Sequence, residues 1–234
     1  LCSRILNKEL SNIIIDNQEL RITASIGISM YPQDGDNAET LIKNADTAMY
    51  KAKEKGKNTY RLYKPKMNQK LINRINNENN LYKAIDKEEF ILLYQPQVDL
   101  KTNKIIGFEA LIRWNSPEKG VLAPYKFIPL AEETNLIVPL GEWIIEKTCI
   151  QNKKWHNAGY NITSAVNISG KQFMNKNLAK VIKKILDKTA LDPKYLELEL
   201  TETILMDNFK YTVDILTELK GMGIKISIDD FGTG

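Results

Sequence analysis

Apolar positions along the chain change period several times, and each change marks an element. Residues 4–15 carry Ile5, Leu6, Leu10, Ile13 and Ile14 at helical spacing, which predicts an amphipathic helix. The next stretch, LRITASIGISM, alternates and is rich in β-branched residues, so one strand is expected there. After the turn cluster YPQDGDN, the run ETLIKNADTAMYKAKEKGKN sets Leu41, Ile42, Ala45, Ala48, Met49 and Ala52 on one helical face. Gly56 supplies its stop, and lysines crowd the last turn, where the helix dipole favours cations. TYRLY then returns as a short strand.

From Lys64 to Glu89 the chain is polar, Asn-rich and helix-compatible. It predicts a connecting helix that leads into the opening helix of a second domain, with the boundary near residues 65–80. Past Phe90 the pattern becomes regular. FILLYQPQVDL, KIIGFEALIRW, ITSAVNIS, YLELELTE and IKISIDD read as strands. Between the later ones lie helical segments in FIPLAEETNLIVPLGEWIIEKTCIQNKKWHN, NLAKVIKKILDKT and YTVDILTELKGMG. Strands alternating with helices predict an α/β fold with a parallel sheet. The first two strands, joined by DLKTNKI, predict a hairpin at one edge.

The polar residues of these strands are ordered by face. Glu109 shares a face with Gly107 and Arg113, and Asn167 shares one with Thr163 and Ala165. Glu197, Glu199 and Thr201 oppose Leu196, Leu198 and Leu200, while Lys225, Ser227 and Asp229 alternate with isoleucines. In a βα barrel, chemistry collects at the C-terminal mouth, where Glu109, Asn167, Glu199, Asp229 and Asp230 would converge. Packed carboxylates require a compensating cation to stay ionised together. Carboxylates plus one amide oxygen, without His or Cys, form a hard donor set suited to Mg²⁺ or Mn²⁺. Adjacent aspartates suit two neighbouring ions, and Arg113 is a phosphate candidate. Plainer roles stand beside these: Asn167 as a cap for SGKQFMN, Arg113 paired with Glu118 on the surface, Asp229 and Asp230 as turn residues.

Composition narrows the partners. The 33 Lys and Arg against 29 Asp and Glu give a net charge of +4, too weak to argue for a nucleic acid polymer. The two cysteines, Cys2 and Cys149, lie far apart, which suits a reducing, cytoplasmic setting. The one histidine, His156, excludes a multi-histidine metal site and reads as a surface residue at a polar helix end. No apolar run reaches the roughly 18–20 residues of a membrane span.

Several motifs together resemble a known family. YQPQVDL, IIGFEALIRW with Glu109-Ala110-Leu111, AVNIS, ELELTE and SIDDFGTG are similar in order and spacing to the motifs of an EAL domain, from about Leu81 to Gly234. Upstream, ITASIGISMYP and NADTAMYKAKEKGKN resemble the C-terminal half of a GGDEF domain. The resemblance implies the C-terminal half of a GGDEF-type α/β domain over residues 1–63, a linker helix over 64–80, and an incomplete EAL-type (β/α)8 barrel over 81–234. It implies a phosphodiesterase that hydrolyses cyclic di-GMP to linear pGpG with Mg²⁺ or Mn²⁺, two ions in all. By the same resemblance Glu109, Asn167, Glu199, Asp229 and Asp230 would be metal ligands. Gln95 and Arg113 would contact substrate, and Glu202 would hold the loop that begins at Asp230. Lys53 and Lys57 match positions that help hold nucleotide phosphates, with a solvated helix end as the plainer reading. The GGDEF loop itself is not in the sequence, so no cyclase activity is expected.

The chain reads as cut at both ends, with the general-base lysine and further barrel strands expected beyond Gly234. The parent protein is therefore expected to be the phosphodiesterase, and the 234-residue chain alone is expected to be inactive. The alternative is a non-catalytic cyclic di-GMP-binding or interaction module. A homodimer through the EAL part and a membrane anchor in an upstream region are compatible with either reading.

Overall fold

In the computed structural model the β-branched run Ile13–Ile15 is a strand, not the end of a helix. The structure describes residues 1–6, 13–15, 18–20, 23–202, 204 and 209–229. Contacts divide the chain into two units, Leu1–Asn77 and Glu78–Gly234.

In the first unit, helix α1 covers Cys2–Arg4, and strand β1 (Ile13–Ile15) pairs antiparallel with β2 (Gln18–Leu20). Three successive isoleucines lose side-chain freedom in a helix and pack well on a pleated surface, which overrides the helical spacing. The single strand expected over LRITASIGISM is also divided: β2 ends at Leu20, residues 23–25 are irregular, and β3 is Ile26–Ile28. Helix α2 (Ala38–Glu54) begins at Asn37, whose side chain accepts from the Thr40 N–H at 2.9 Å. Its small buried residues Ala48 and Ala52 allow close packing. Gly27 shows how close, because a Cβ there would stand 1.8 Å from the Ala45 carbonyl oxygen. Strand β4 (Tyr60–Leu62) then pairs parallel with β3.

Helix α3 is one element from Lys66 to Asp86. The two successive helices expected there merge, because no Gly or Pro interrupts residues 66–86.

The second unit is built on a six-stranded sheet. Its strands are β5 (Phe90–Val98), β6 (Ile105–Ser116), β7 (Gly120–Leu122), β8 (Thr163–Asn167), β9 (Leu196–Thr201) and β10 (Lys225–Asp229). The order is β10-β9-β8-β6-β5, with β7 beside β6. β5 and β6 form the expected edge hairpin, and β6, β8, β9 and β10 run parallel. Strand β7 carries too short an apolar pattern to be read from sequence. It folds back on the end of β6, pairing Leu122 with Trp114.

The described helices that follow are α4 (Ile128–Glu133), α5 (Ile137–Asn157), α6 (Gly170–Phe173), α7 (Leu178–Thr189) and α8 (Phe209–Gly221). The long helical segment after Phe127 is thus two helices, parted where Asn135 takes a φ of 62°. Leu196, Leu198 and Leu200 are buried to 1% exposure or less, together with Leu140 and Ile145 of α5 and Ile182 of α7. Alternation on β9 therefore separates a helix-covered leucine face from a face carrying Glu197 and Glu199. On β10 the separation is incomplete, with Ile228 half exposed. His156 is no free surface residue: its Nε2–H donates to the Ile162 carbonyl at 3.0 Å, and its ring meets Tyr195 edge-on at 4.0 Å.

Candidate functional site

Strand pairing sets the acids side by side. Gln95 lies opposite Glu109 across the β5–β6 hairpin, and Glu109 lies opposite Ala165. Asn167, two residues beyond Ala165 on the same face, lies opposite Glu199. Glu199 lies opposite Ser227, and Asp229 is again two residues further on. From Glu109 through Asn167 and Glu199 to Asp229 the positions climb along the strands. Tilted strands bring such a climb level.

The side chains bear this out. The Asn167 amide donates from Nδ2 to Glu109 Oε1 at 2.7 Å, which leaves Oδ1 as the atom able to meet a cation. Asn167 does not cap the following helix. Ser169 does, since its backbone turns from strand to helix and its hydroxyl accepts from the Gln172 N–H. The Glu199 carboxyl is pushed up to about 7, first by burial and then by the charges of Glu109, Asp229 and Glu197. Glu197 belongs to this electrostatic cluster although the motif reading assigns it no role. Its alternation with Leu196 and Leu198 was the available signal. At the opposite end of the same face, Lys225 Nζ donates to Thr163 Oγ1 at 3.1 Å.

Arg113, half-buried on β6, folds back so that Nη1 donates to the Ile112 carbonyl at 2.8 Å. Glu202 follows directly after Thr201, the last residue of β9. Asp230 and the loop that Glu202 is expected to hold lie outside the described residues. A cleft of about 540 Å³ opens beside Asn167, walled by Leu111, Ile112, Tyr125, Pro129 and Ile168. In the first unit Lys53 and Lys57 are exposed. A separate cleft of about 830 Å³ there is faced by Lys51, Lys55, Arg61 and Lys64 instead.

Among the described residues, no group of three His, Cys, Asp or Glu side chains stands close enough to hold an ion. The donors nonetheless fit a hard divalent cation in kind. They are oxygen atoms on adjacent strand ends, where burial first and the neighbouring acids second push the Glu199 carboxyl up to about 7. No helix among the described residues is long and apolar enough to cross a membrane.

Comparison with known proteins agrees with the motifs. The EAL domain model matches residues 78–234, and the model "Diguanylate cyclase, GGDEF domain" matches residues 1–59. The signaling protein YkoW of Bacillus subtilis (strain 168) is 43% identical over the whole chain, which covers 29% of its length. The cyclic di-GMP phosphodiesterase PdeR of Escherichia coli (strain K12) is 35% identical over the whole chain, which covers 35% of its length. The chain thus spans about a third of these curated relatives. A solved PaMucR phosphodiesterase in complex with c-di-GMP is 39% identical, with a TM-score of 0.67, over 68% of this chain and 65% of that one.

Proposed function

The chain belongs to the EAL domain family, and from that premise we propose that its parent protein hydrolyses cyclic di-GMP to linear pGpG. The observation that carries this reading is the gathering of Glu109, Asn167, Glu199 and Asp229 on one sheet face, with the Asn167 amide bonded to Glu109. The raised Glu199 carboxyl supports it, because a cation would offset both the burial and the neighbouring acids that disfavour its charge. The phosphodiesterase name of PdeR and the c-di-GMP bound to PaMucR supply the substrate.

In this reading Glu109, Asn167, Glu199 and Asp229 hold Mg²⁺ or Mn²⁺, with Asp230 assigned from its motif. Bound there, such ions would supply positive charge to a phosphodiester and acidity to an attacking water. Asn167 presents Oδ1, and Glu109 fixes that orientation by accepting from Nδ2. Gln95 stands opposite Glu109 to meet substrate, and Arg113 supplies a planar fork to a phosphate once it leaves the Ile112 carbonyl. The cleft beside Asn167 offers an apolar wall for a base. Glu202 acts on the loop after Asp229. Residues 1–63 are the GGDEF part, 64–80 the linker helix and 81–234 the EAL part.

The test is product analysis on the full-length protein with cyclic di-GMP and Mn²⁺. We expect pGpG, lost on chelation and reduced by several orders of magnitude in Glu109→Ala. Cyclic di-GMP binding without turnover would instead favour a non-catalytic binding module. Neither binding nor turnover would overturn both readings.

A further inference from the structure

The segment that carries Asn167 out of β8 is held by a residue with no part in the proposed chemistry. Gln172 Oε1 accepts from the Ser169 N–H at 3.2 Å, and Ser169 Oγ accepts from the Gln172 N–H at 3.3 Å. This reciprocal box closes the first turn of α6. Gln172 is only 4% exposed, an unusual burial for a capping side chain. Its amide lies against α5 at Gly141, where a Cβ would stand 1.6 Å from Gln172 Nε2 and 2.4 Å from Cδ. Only a residue without a Cβ leaves room for Gln172 in that position.

The backbone after Asn167 is therefore fixed from two sides. The Ile168 N–H donates to the Glu199 carbonyl at 2.9 Å, tying it to β9. Ser169 is tied to Gln172, and Gln172 is seated on α5. Between these anchors Asn167 directs Nδ2 to Glu109 and keeps Oδ1 for a cation. A carboxamide at a loosely held strand end has no such preference, because its two ends differ only in the partners they find.

We propose that Gln172 is a positioning residue for the metal site. Seated between Gly141 and Ser169, it sets the strand-to-helix turn and thereby the orientation of the Asn167 carboxamide. The inference rests on the reading of Asn167 as a ligand. Groups that support ligands from behind typically change metal affinity by roughly 10–100-fold when removed.

The experiment titrates Mn²⁺ into the full-length protein, reading free ion by electron paramagnetic resonance, with circular dichroism melts alongside. Gln172→Leu is expected to weaken Mn²⁺ binding by roughly 10–100-fold. Gly141→Ala probes the seat from the other side: it favours the helix, yet its methyl displaces the Gln172 amide. It is expected to weaken Mn²⁺ binding to a similar degree while α5 stays folded. In a Gln172→Ala background, Gly141→Ala should cost no further affinity, a coupling that two independent packing defects would not produce. Should Gln172→Leu fail to fold, the Gly141→Ala and double-variant comparison decides alone.

Wild-type-like affinity in Gln172→Leu and Gly141→Ala, with affinity lost in Asn167→Ala, would overturn the positioning role and leave the ligand reading intact. Equal affinity in wild type and Asn167→Ala would instead remove the ligand reading, and this inference with it.

Discussion

Replacing Glu199 by Gln should stabilise the metal-free protein at alkaline pH and leave it almost unchanged in mild acid. The Glu199 carboxyl rises from 4.5 to about 7 in the folded state, through burial and then the charges of Glu109, Asp229 and Glu197. As pH climbs through 4.5, the unfolded chain releases this proton first, and the folded chain keeps it until about 7. Within that window the folded state binds more protons, so stability falls as pH rises, and the full penalty stands above the window. At about 1.4 kcal/mol per pKa unit, the displacement caps the effect at about 3 kcal/mol. Glu199 is only partly buried and water screens its neighbours, so about 1–2 kcal/mol is expected.

The assay is urea unfolding in EDTA from pH 4.5 to 8, followed by tryptophan fluorescence. Trp114, Trp143 and Trp155 all belong to the second unit, so the signal reports the part that contains the site. Glu199→Gln should gain on wild type steadily from pH 4.5 to 7 and then hold its lead. A difference that stays constant with pH, or that turns in favour of wild type as pH rises, would refute the electrostatic reasoning.

Other expectations concern the framework. Leu198 is 1% exposed on the helix-covered face of β9, so Leu198→Ala should cost about 2–5 kcal/mol in the same urea assay. Ala190 ends α7 with a φ of 52°, a conformation that burdens a side-chain-bearing residue, so Ala190→Gly should gain about 1 kcal/mol. The Cys149 thiol is fully buried and pushed up to about 12, chiefly by burial and further by Glu146. Ellman's reagent at pH 8 should label Cys2 readily and reach Cys149 only in denaturant, and equal rates would contradict the packing of α5.

Much of the second unit was legible because two signals agreed there. On YLELELTE, alternation named both the buried leucines and the acid-bearing face, and burial along β9 follows it residue by residue. The hairpin of β5 and β6 and the parallel order of the later strands followed from element spacing alone. Failures came where local signals competed. Ile13 and Ile14 satisfied a helical stripe and a β-branched run at once, and the strand prevailed. The division between α4 and α5 rests on a left-handed Asn135, which apolar periodicity cannot reveal.

At the site, strand faces pointed to Glu109, Asn167, Glu199 and Asp229, since period-two alternation fixes the side on which a residue stands. It does not fix partners. The bond from Asn167 to Glu109 spans 58 residues and depends on the register between β6 and β8. Ser169 and Gln172 carry the S-x-x-Q signature of a capping box in SGKQ, which assigns the cap to Ser169 and not to Asn167.

The most direct test of the account is the Mn²⁺-dependent rate of pGpG release by the full-length protein and its Asp229→Asn variant. Asp229 stands two residues along the strand from Ser227, the partner of Glu199, and contributes to its raised carboxyl, so it belongs to the same acid cluster. If that cluster holds the ions, the variant should lose several orders of magnitude in rate while its melting profile survives. A variant that keeps its Mn²⁺-dependent rate would contradict the claim that these strand ends form the metal site.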